Sequence, residues 1–209
     1  MAKILYIEAS PRKSRSASIA VARQFIESYR ARKPDDTIET LDLWQAALPR
    51  FDNETIDAKY AILHGQPHSP EQAKAWQAVE KLAAQFKAAD KYVISTPMWN
   101  FGIPYMLKHY IDVLVQPGLT FTYSPTEGYK GLVTGKPVVA IYARGGSYPA
   151  GTPGEAYDMQ SRYLSLVLGF IGLTDIRPIM VDPMLGGPEA AQKGLAAAKA
   201  EAAKLAAAF

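Results

Sequence analysis

The segment Pro97-Met98-Trp99-Asn100-Phe101 closes an apolar run, Tyr92-Val93-Ile94, and precedes a helix-like stretch that starts near Tyr105. A proline, an indole and a side-chain amide at a strand tip do not extend a core. They present an edge that can flank a flat heteroaromatic ring, and Asn100 both donates and accepts along such an edge. Trp99 and Phe101 alone would also serve as caps over the core. The chemical reading therefore depends on what other loops bring to the same place.

Two other loops contribute. Glu8-Ala9-Ser10-Pro11-Arg12-Lys13-Ser14-Arg15-Ser16-Ala17-Ser18 follows the first strand-like run and leads into a helix. A helix N-terminus carries about half a positive charge and unpaired N–H groups, and a phosphomonoester brings about −1.5 to −2 charges to it. Ser10, Ser16 and Ser18 can bond phosphate oxygens without bulk, with Arg12 or Arg15 adding charge. The plain alternative is a serine N-cap. Neither Gly-x-x-x-x-Gly-Lys-Ser/Thr nor Gly-x-Gly-x-x-Gly occurs at this turn, which favours a terminal phosphate over a pyrophosphate.

The third loop is Ala143-Arg144-Gly145-Gly146-Ser147-Tyr148. Consecutive glycines let the backbone approach a ligand with N–H groups pointing outward, or else form an ordinary turn. Taken together, the three loops suit a mononucleotide with a planar head. Its phosphate would sit at the serine loop and its ring between the other two. Flavin mononucleotide (FMN) fits that description.

The elements that must position these loops are legible from periodicity. Strand-like runs cover Lys3 to Ile7, Thr37 to Leu43, Lys91 to Ser95, Lys136 to Ala143 and Thr174 to Val181. Helical spacing covers Ser16 to Arg32, Ser69 to Ala88, Pro104 to Val115, Glu155 to Ile171 and Pro188 to Ala208. Ser69-Pro70-Glu71-Gln72 has the form of a capping box with proline at the first helical position. Gln45 to Ser69 is irregular, with helical possibilities around Ile56 to His64. Leu119 to Tyr123 and Lys130 to Val133 suit a small hairpin. Strands alternating with helices imply an α/β domain with a parallel sheet covered on both faces. Ligands of such sheets sit at the carboxyl ends of the strands, where the strand order reverses.

Composition narrows the function. A chain of 209 residues, with 48% hydrophobic and 21% charged residues, suits a single domain with a substantial core. A net charge of +3 with scattered cations does not argue for nucleic acid. The absence of cysteine excludes disulfides, thiolate metal sites and a thiol nucleophile. No apolar stretch is long enough to span a bilayer, and Met1 leads into a strand without a signal-peptide pattern. The expectation is a cytoplasmic protein. His64, His68 and His109 are too separated for a metal site, and His109 beside Asp112 reads as a solvated or interface pair. Asp182 and Glu189 read as surface. No Gly-x-Ser-x-Gly elbow marks a hydrolase.

The whole chain resembles the FMN-dependent NADH:quinone oxidoreductases, also called FMN-dependent NADH azoreductases. The resemblance rests on Pro97-Met98-Trp99-Asn100-Phe101, Leu107-Lys108 through Ile111-Asp112, Gly118-Leu119-Thr120-Phe121-Thr122-Tyr123, Gly131-Leu132-Val133, Arg144-Gly145-Gly146 and Leu168-Gly169-Phe170-Ile171-Gly172. It implies a flavodoxin-like, doubly wound, five-stranded parallel sheet of order 2-1-3-4-5 with helices on both faces, formed by residues 1–209 as one domain. It implies FMN held by Ser10, Ser16, Ala17 and Ser18 at the phosphate. At the ring and ribityl chain it implies Met98, Trp99, Asn100, Phe101, Ala143, Arg144, Gly145 and Gly146.

The same resemblance implies NADH or NADPH as reductant, quinone or azo acceptors, ping-pong turnover and a homodimer whose partner completes the site. Gly145, Gly146 and Tyr148 are the expected catalytic positions, and Trp99, Phe121, Tyr123 and Tyr148 the expected acceptor pocket. The chain departs from the family at Ala143, often serine, and near Tyr148, commonly histidine, which removes an imidazole acid from consideration there. A flavodoxin-type electron carrier and an NAD(P)H-dependent FMN reductase are the nearest alternatives. The net charge disfavours the first, since such carriers are usually strongly acidic.

Overall fold

Central strands of a sheet covered on both faces are apolar at successive positions rather than alternate ones, and this chain has three such runs. The computed structural model describes all residues from Met1 to Phe209. The strands are β1 (Lys3–Glu8), β2 (Thr37–Asp42), β3 (Lys91–Pro97), β4 (Phe121–Ser124), β5 (Gly128–Gly131), β6 (Val138–Ala143) and β7 (Ile176–Val181). Successive residues of β1, β3 and β6 are buried, whereas β2 keeps exposed positions. Five strands form a parallel sheet in the order β2-β1-β3-β6-β7. This is the expected order, 2-1-3-4-5, once the separate antiparallel hairpin β4-β5 is set aside.

The helices are α1 (Ala17–Arg30), α2 (Asn53–Leu63), α3 (Pro70–Lys87), α4 (Tyr105–Leu114), α5 (Met159–Phe170) and α6 (Pro188–Ala207). Two apolar layers result. One joins Leu5, Ile7, Tyr92, Ile94 and Tyr142 to α3, α4 and α5; the other joins Ile4, Tyr6, Val93 and Ile141 to α1 and α6. The expected capping box starts α3: the Ser69 amide donates to Gln72 Oε1 at 2.8 Å and the Gln72 amide to Ser69 Oγ at 3.2 Å. No helix is long and apolar enough to cross a membrane.

Four details differ from the sequence reading. Helix α2 starts upstream of Ile56, because Asp52 caps it by accepting from the Thr55 amide. Helix α5 starts at Met159 rather than Glu155, because Pro153–Tyr157 forms a 3-10 turn and Asp158 then caps the α-helix by accepting from the Ser161 amide. His109 does not pair with Asp112: its Nε2 lies 2.8 Å from the Pro49 carbonyl, while Asp112 takes Lys108 at 2.6 Å. Asp182 is no surface carboxylate; its side chain is 16% exposed and ion-paired to Arg144.

Candidate active site

β1 leads outward to β2 on one side, while β3, β6 and β7 extend the sheet on the other. That reversal opens a crevice at the carboxyl ends of β1 and β3. A cleft of about 400 Å³ lies there, within the range of small-ligand sites. Ser10, Arg12, Arg15, Ser16 and Ala17 line it from the loop after β1, and Pro97, Met98 and Trp99 from the loop after β3. Ala143, Arg144 and Gly145 line it from the loop after β6. The topology thus brings the three loops together. A fourth loop, after β7, adds Met184 and Leu185, which sequence reasoning missed.

At the serine end, Ser10 and Ser18 are fully buried, and Ser16 Oγ lies 3.1 Å from Ser18 Oγ. Ser16 caps α1 by accepting from the Ile19 amide at 3.4 Å. The amides of Ser10, Ala17 and Ser18 donate to no backbone group. The Ala17 and Ser18 amides are unpaired donors at the N-terminus of α1, which is where an anion is held, and the Ser10 amide adds a third donor from just beyond the end of β1. Arg12 and Arg15 line the cleft, but Lys13 turns away. Its backbone is left-handed, φ 49°, and its Nζ bridges Glu8 Oε1 at 2.8 Å and Asp42 Oδ2 at 2.5 Å. Burial works against the Lys13 charge, yet the hydrogen bonds to Asp42 and Glu8 outweigh it and raise its pKa.

At the ring end, the Trp99 amide donates to the Gly102 carbonyl at 3.0 Å and the Gly102 amide to the Trp99 carbonyl at 2.9 Å. The two residues between them have φ of 47° (Asn100) and 69° (Phe101), as in a tight type I′ turn. Asparagine tolerates this region, but phenylalanine rarely enters it. Strain of this kind costs about 1–3 kcal/mol and collects at functional sites. The Met98 amide donates to the Ala143 carbonyl at 2.8 Å, which ties the β3 loop to the start of the β6 loop.

Trp99 is braced by Trp44 (5.9 Å between centroids) and Tyr105 (6.2 Å), and the Trp44 Nε1 donates to the Ala9 carbonyl at 3.0 Å. Trp44 was also absent from the sequence-derived site. Its signal is topological: it follows the second strand, which the 2-1-3 order lays beside the first. A larger groove, about 810 Å³, runs along the other side of Trp99 and Asn100 towards Arg50 and Lys108.

At the glycine loop, Arg144 is buried and held between two carboxylates. Its Nη1 donates to Asp158 Oδ2 at 2.8 Å, and Nε and Nη2 donate to Asp182 Oδ2 at 3.0 and 2.6 Å. This guanidinium fixes the loop and has little left to offer a ligand. The Gly145 and Gly146 amides donate to no backbone group. A Cβ on Gly145 would lie 2.8 Å from Leu185 Cδ1, so the exposed leucine tip would have to move aside, whereas one on Gly146 would meet the Tyr148 hydroxyl at an ordinary 3.4 Å. Tyr148 lies with its ring 5.4 Å from the Arg144 guanidinium carbon. It faces a neighbouring cavity of about 440 Å³ rather than the central cleft.

Phe121 and Tyr123 stand apart from the cleft within one chain. Phe121 packs on Phe170 at 4.7 Å, and Tyr123 on Tyr129 at 4.9 Å with 61% of its surface exposed. Phe101 packs on Tyr157 at 5.0 Å. No three histidine, aspartate or glutamate side chains gather as a metal-ligand set.

Residues 2–206 match the family described as the flavodoxin-like fold. The chain is 52% identical over 210 residues to the FMN-dependent NADH:quinone oxidoreductase of Nitratidesulfovibrio vulgaris, covering 100% of each chain. It is 50% identical over 206 residues to the protein of that name from Desulfotalea psychrophila, covering 99% of this chain and 97% of the relative. Among solved structures, an azoreductase from Bacillus anthracis superposes with a TM-score of 0.91 at 34% identity, covering 100% of each chain. An FMN-dependent NADH-azoreductase from Bacillus anthracis, solved in complex with FMN, superposes with a TM-score of 0.87 at 30% identity, covering 99% and 100%. The fold and the site define a flavodoxin-like protein. Within that class, the chain belongs to the family of FMN-dependent NADH:quinone oxidoreductases and azoreductases.

Proposed function

We propose that this protein is an FMN-dependent oxidoreductase that uses NADH to reduce quinones and aromatic azo compounds, the whole chain acting as one FMN-binding domain in the cytoplasm. The observation that carries the reading is the set of unpaired backbone amides at Ser10, Ala17, Ser18, Gly145 and Gly146, supplied by the loops after β1 and β6 at one edge of the sheet, with Ser10, Ala17 and Gly145 lining the cleft itself. Such amides need an acceptor. A monophosphate suits the first three, and the polar edge of a flat ring suits the glycine pair. The FMN dependence in the names of the half-identical relatives supports the same cofactor.

Bound FMN supplies hydride chemistry: two electrons and a hydrogen pass from the nicotinamide to the acceptor, and a quinone takes one further proton from solvent to become the hydroquinone. An azo bond needs two such cycles to become two amines. The residues of this chain bind and orient. Ser10, Ser16, Ala17 and Ser18 hold the phosphate, with Arg12 and Arg15 balancing its charge. Met98, Trp99, Asn100 and Phe101 flank the ring on one side and Ala143 to Gly146 on the other. The Gly145 and Gly146 amides stabilise negative charge at the ring edge, as oxyanion-type donors do. Trp99 also walls the acceptor side.

Donor and acceptor would each have to reach the cofactor through the same cleft, so they would bind in turn and the kinetics would be ping-pong. Tyr123, Tyr129, Leu166 and Phe170 expose an apolar patch on the hairpin and α5, suited to a second copy of the chain. In such a homodimer, Phe121 and Tyr123 serve the partner's acceptor pocket. Initial rates at several fixed quinone concentrations, with NADH and then NADPH varied, test the reading. Parallel double-reciprocal lines and a homodimeric mass in solution are expected. Intersecting lines reject ping-pong turnover, and a monomer with full activity rejects the shared pocket.

A further inference from the structure

Asp182 holds both ends of the Gly145–Gly146 pair, and we infer that it is the positioning residue for those two amides. The inference rests on the proposal that the amides serve bound FMN. Glycines lack side chains and lose the most conformational freedom on ordering, so the direction of their N–H groups must come from their neighbours. The residue before the pair, Arg144, donates from Nε and Nη2 to Asp182 Oδ2 at 3.0 and 2.6 Å. The residue after it, Ser147, donates from Oγ to Asp182 Oδ1 at 2.7 Å. One carboxylate therefore spans the loop.

The backbone repeats the arrangement. The Arg144 amide donates to the Val181 carbonyl at 3.0 Å, the Met184 amide to the Arg144 carbonyl at 2.9 Å, and the Leu185 amide to the Gly145 carbonyl at 2.9 Å. Asp182 is in turn backed by α6: a Cβ on Gly194 would lie 2.3 Å from the Asp182 carbonyl oxygen, so only glycine lets the helix seat there. The loop that carries the proposed electrostatic donors is thus positioned from the end of β7 and, behind it, from α6.

Arg144 has a second carboxylate, Asp158 Oδ2 at 2.8 Å, itself held by the Ser161 hydroxyl at 2.6 Å. Neutralising Asp182 therefore leaves the buried guanidinium with an anionic partner, and Asp182→Asn keeps the fold while loosening the loop. Ser147→Ala removes only the exposed half of the tie. The test uses three readouts on the full chain: the FMN dissociation constant of the apoprotein by fluorescence titration, hydrogen exchange of the peptide spanning residues 145–148, and the apoprotein melting temperature. Asp182→Asn is expected to weaken FMN binding about 30-fold and Ser147→Ala about fivefold, where tenfold corresponds to about 1.4 kcal/mol. Both should speed exchange across residues 145–148, with the Ser147→Ala melting temperature within about 2 °C of the parent, as for a surface change. FMN binding within about twofold of the parent in both variants, with unchanged exchange, overturns the inference. If the parent apoprotein itself takes up no FMN, the proposed function fails separately, and unchanged exchange in the variants still overturns the positioning role.

Discussion

Lys13 and Asp42 stand 29 positions apart in the chain, yet the Lys13 ammonium lies 2.5 Å from Asp42 Oδ2. The contact exists because β1 and β2 pair in parallel with Glu8 opposite Asp42, so both carboxylates end at one height and one lysine bridges them. The loop between Ser10 and Ser16 is folded back over this bridge, with a left-handed backbone at Lys13 itself. A cation that looks suited to phosphate instead fixes the loop whose serines and amides face the cleft.

The bridge has a pH signature. The Lys13 pKa is raised: burial opposes the charge, but Asp42 and Glu8 prevail. A raised pKa contributes stability that is fully present below the ordinary lysine value, about 10.4, and is lost as pH rises through the higher folded value. Lys13→Met should therefore lower stability by a similar amount from neutrality up to about pH 10.4, by at least about 1 kcal/mol, because Glu8 (side chain 12% exposed) and Asp42 (25%) lose the cation they share. The difference from the parent should vanish only above the higher folded value. Melting curves of both proteins across pH check this; a difference that already disappears at neutral pH contradicts it.

The Trp99–Gly102 turn predicts an unusual substitution pattern at Phe101. Because the backbone there is left-handed, Phe101→Gly trades the ring's packing on Tyr157 for relief of strain and should leave stability within about 0.5 kcal/mol. Phe101→Val places a β-branched side chain in the same region and should cost about 1–3 kcal/mol. Urea unfolding of the two variants separates backbone strain from side-chain contact. Equal losses would show that the contact with Tyr157, not the turn, governs the position.

Trp99 borders both the cleft and the larger groove beside it. Aromatic contacts contribute about 0.5–1.5 kcal/mol beyond area burial, so Trp99→Ala should shift the ratio of quinone to azo-dye kcat/KM by up to about tenfold. FMN affinity should fall by no more than about threefold, since the proposed site assigns most of that binding to backbone donors and serines. An unchanged acceptor ratio accompanied by loss of the flavin would refute the assignment.

The hairpin has its own sensitive point. A Cβ on Gly131 would lie 2.3 Å from the Gly172 nitrogen and the Ile171 carbonyl carbon, both backbone atoms with no freedom to yield. Gly131→Ala should therefore lift β5 off the end of α5 and destabilise the protein by at least about 3 kcal/mol. Assembly of the proposed dimer, measured by light scattering, should weaken with it. An alanine variant as stable and as associated as the parent would show that the hairpin is not seated as described.

Much of this is legible in the amino-acid sequence, for identifiable reasons. Ser16 and Ser69 announce themselves as caps because helix starts depend on local hydrogen bonds. Alternation and handedness imply a covered parallel sheet whose strand ends carry the serine, Trp99 and glycine loops, while its order, 2-1-3-4-5, is legible only through the family resemblance. The missed residues act across the sheet. Trp44 and Asp182 each follow a strand and look ordinary there; only the pairing of β2 with β1 and of β7 with β6 brings them to Ala9 and Arg144. The left-handed Phe101 is hidden for another reason. A type I′ turn is announced by Asn-Gly, and Asn-Phe carries no such signal.

Anaerobic titration of the reconstituted protein tests the central claim most directly. After incubation with FMN and gel filtration, the protein should carry one equivalent of flavin per chain. Its yellow absorbance should bleach with stoichiometric NADH and return with stoichiometric benzoquinone. A colourless protein after gel filtration, or bound flavin that NADH does not bleach, would contradict the account.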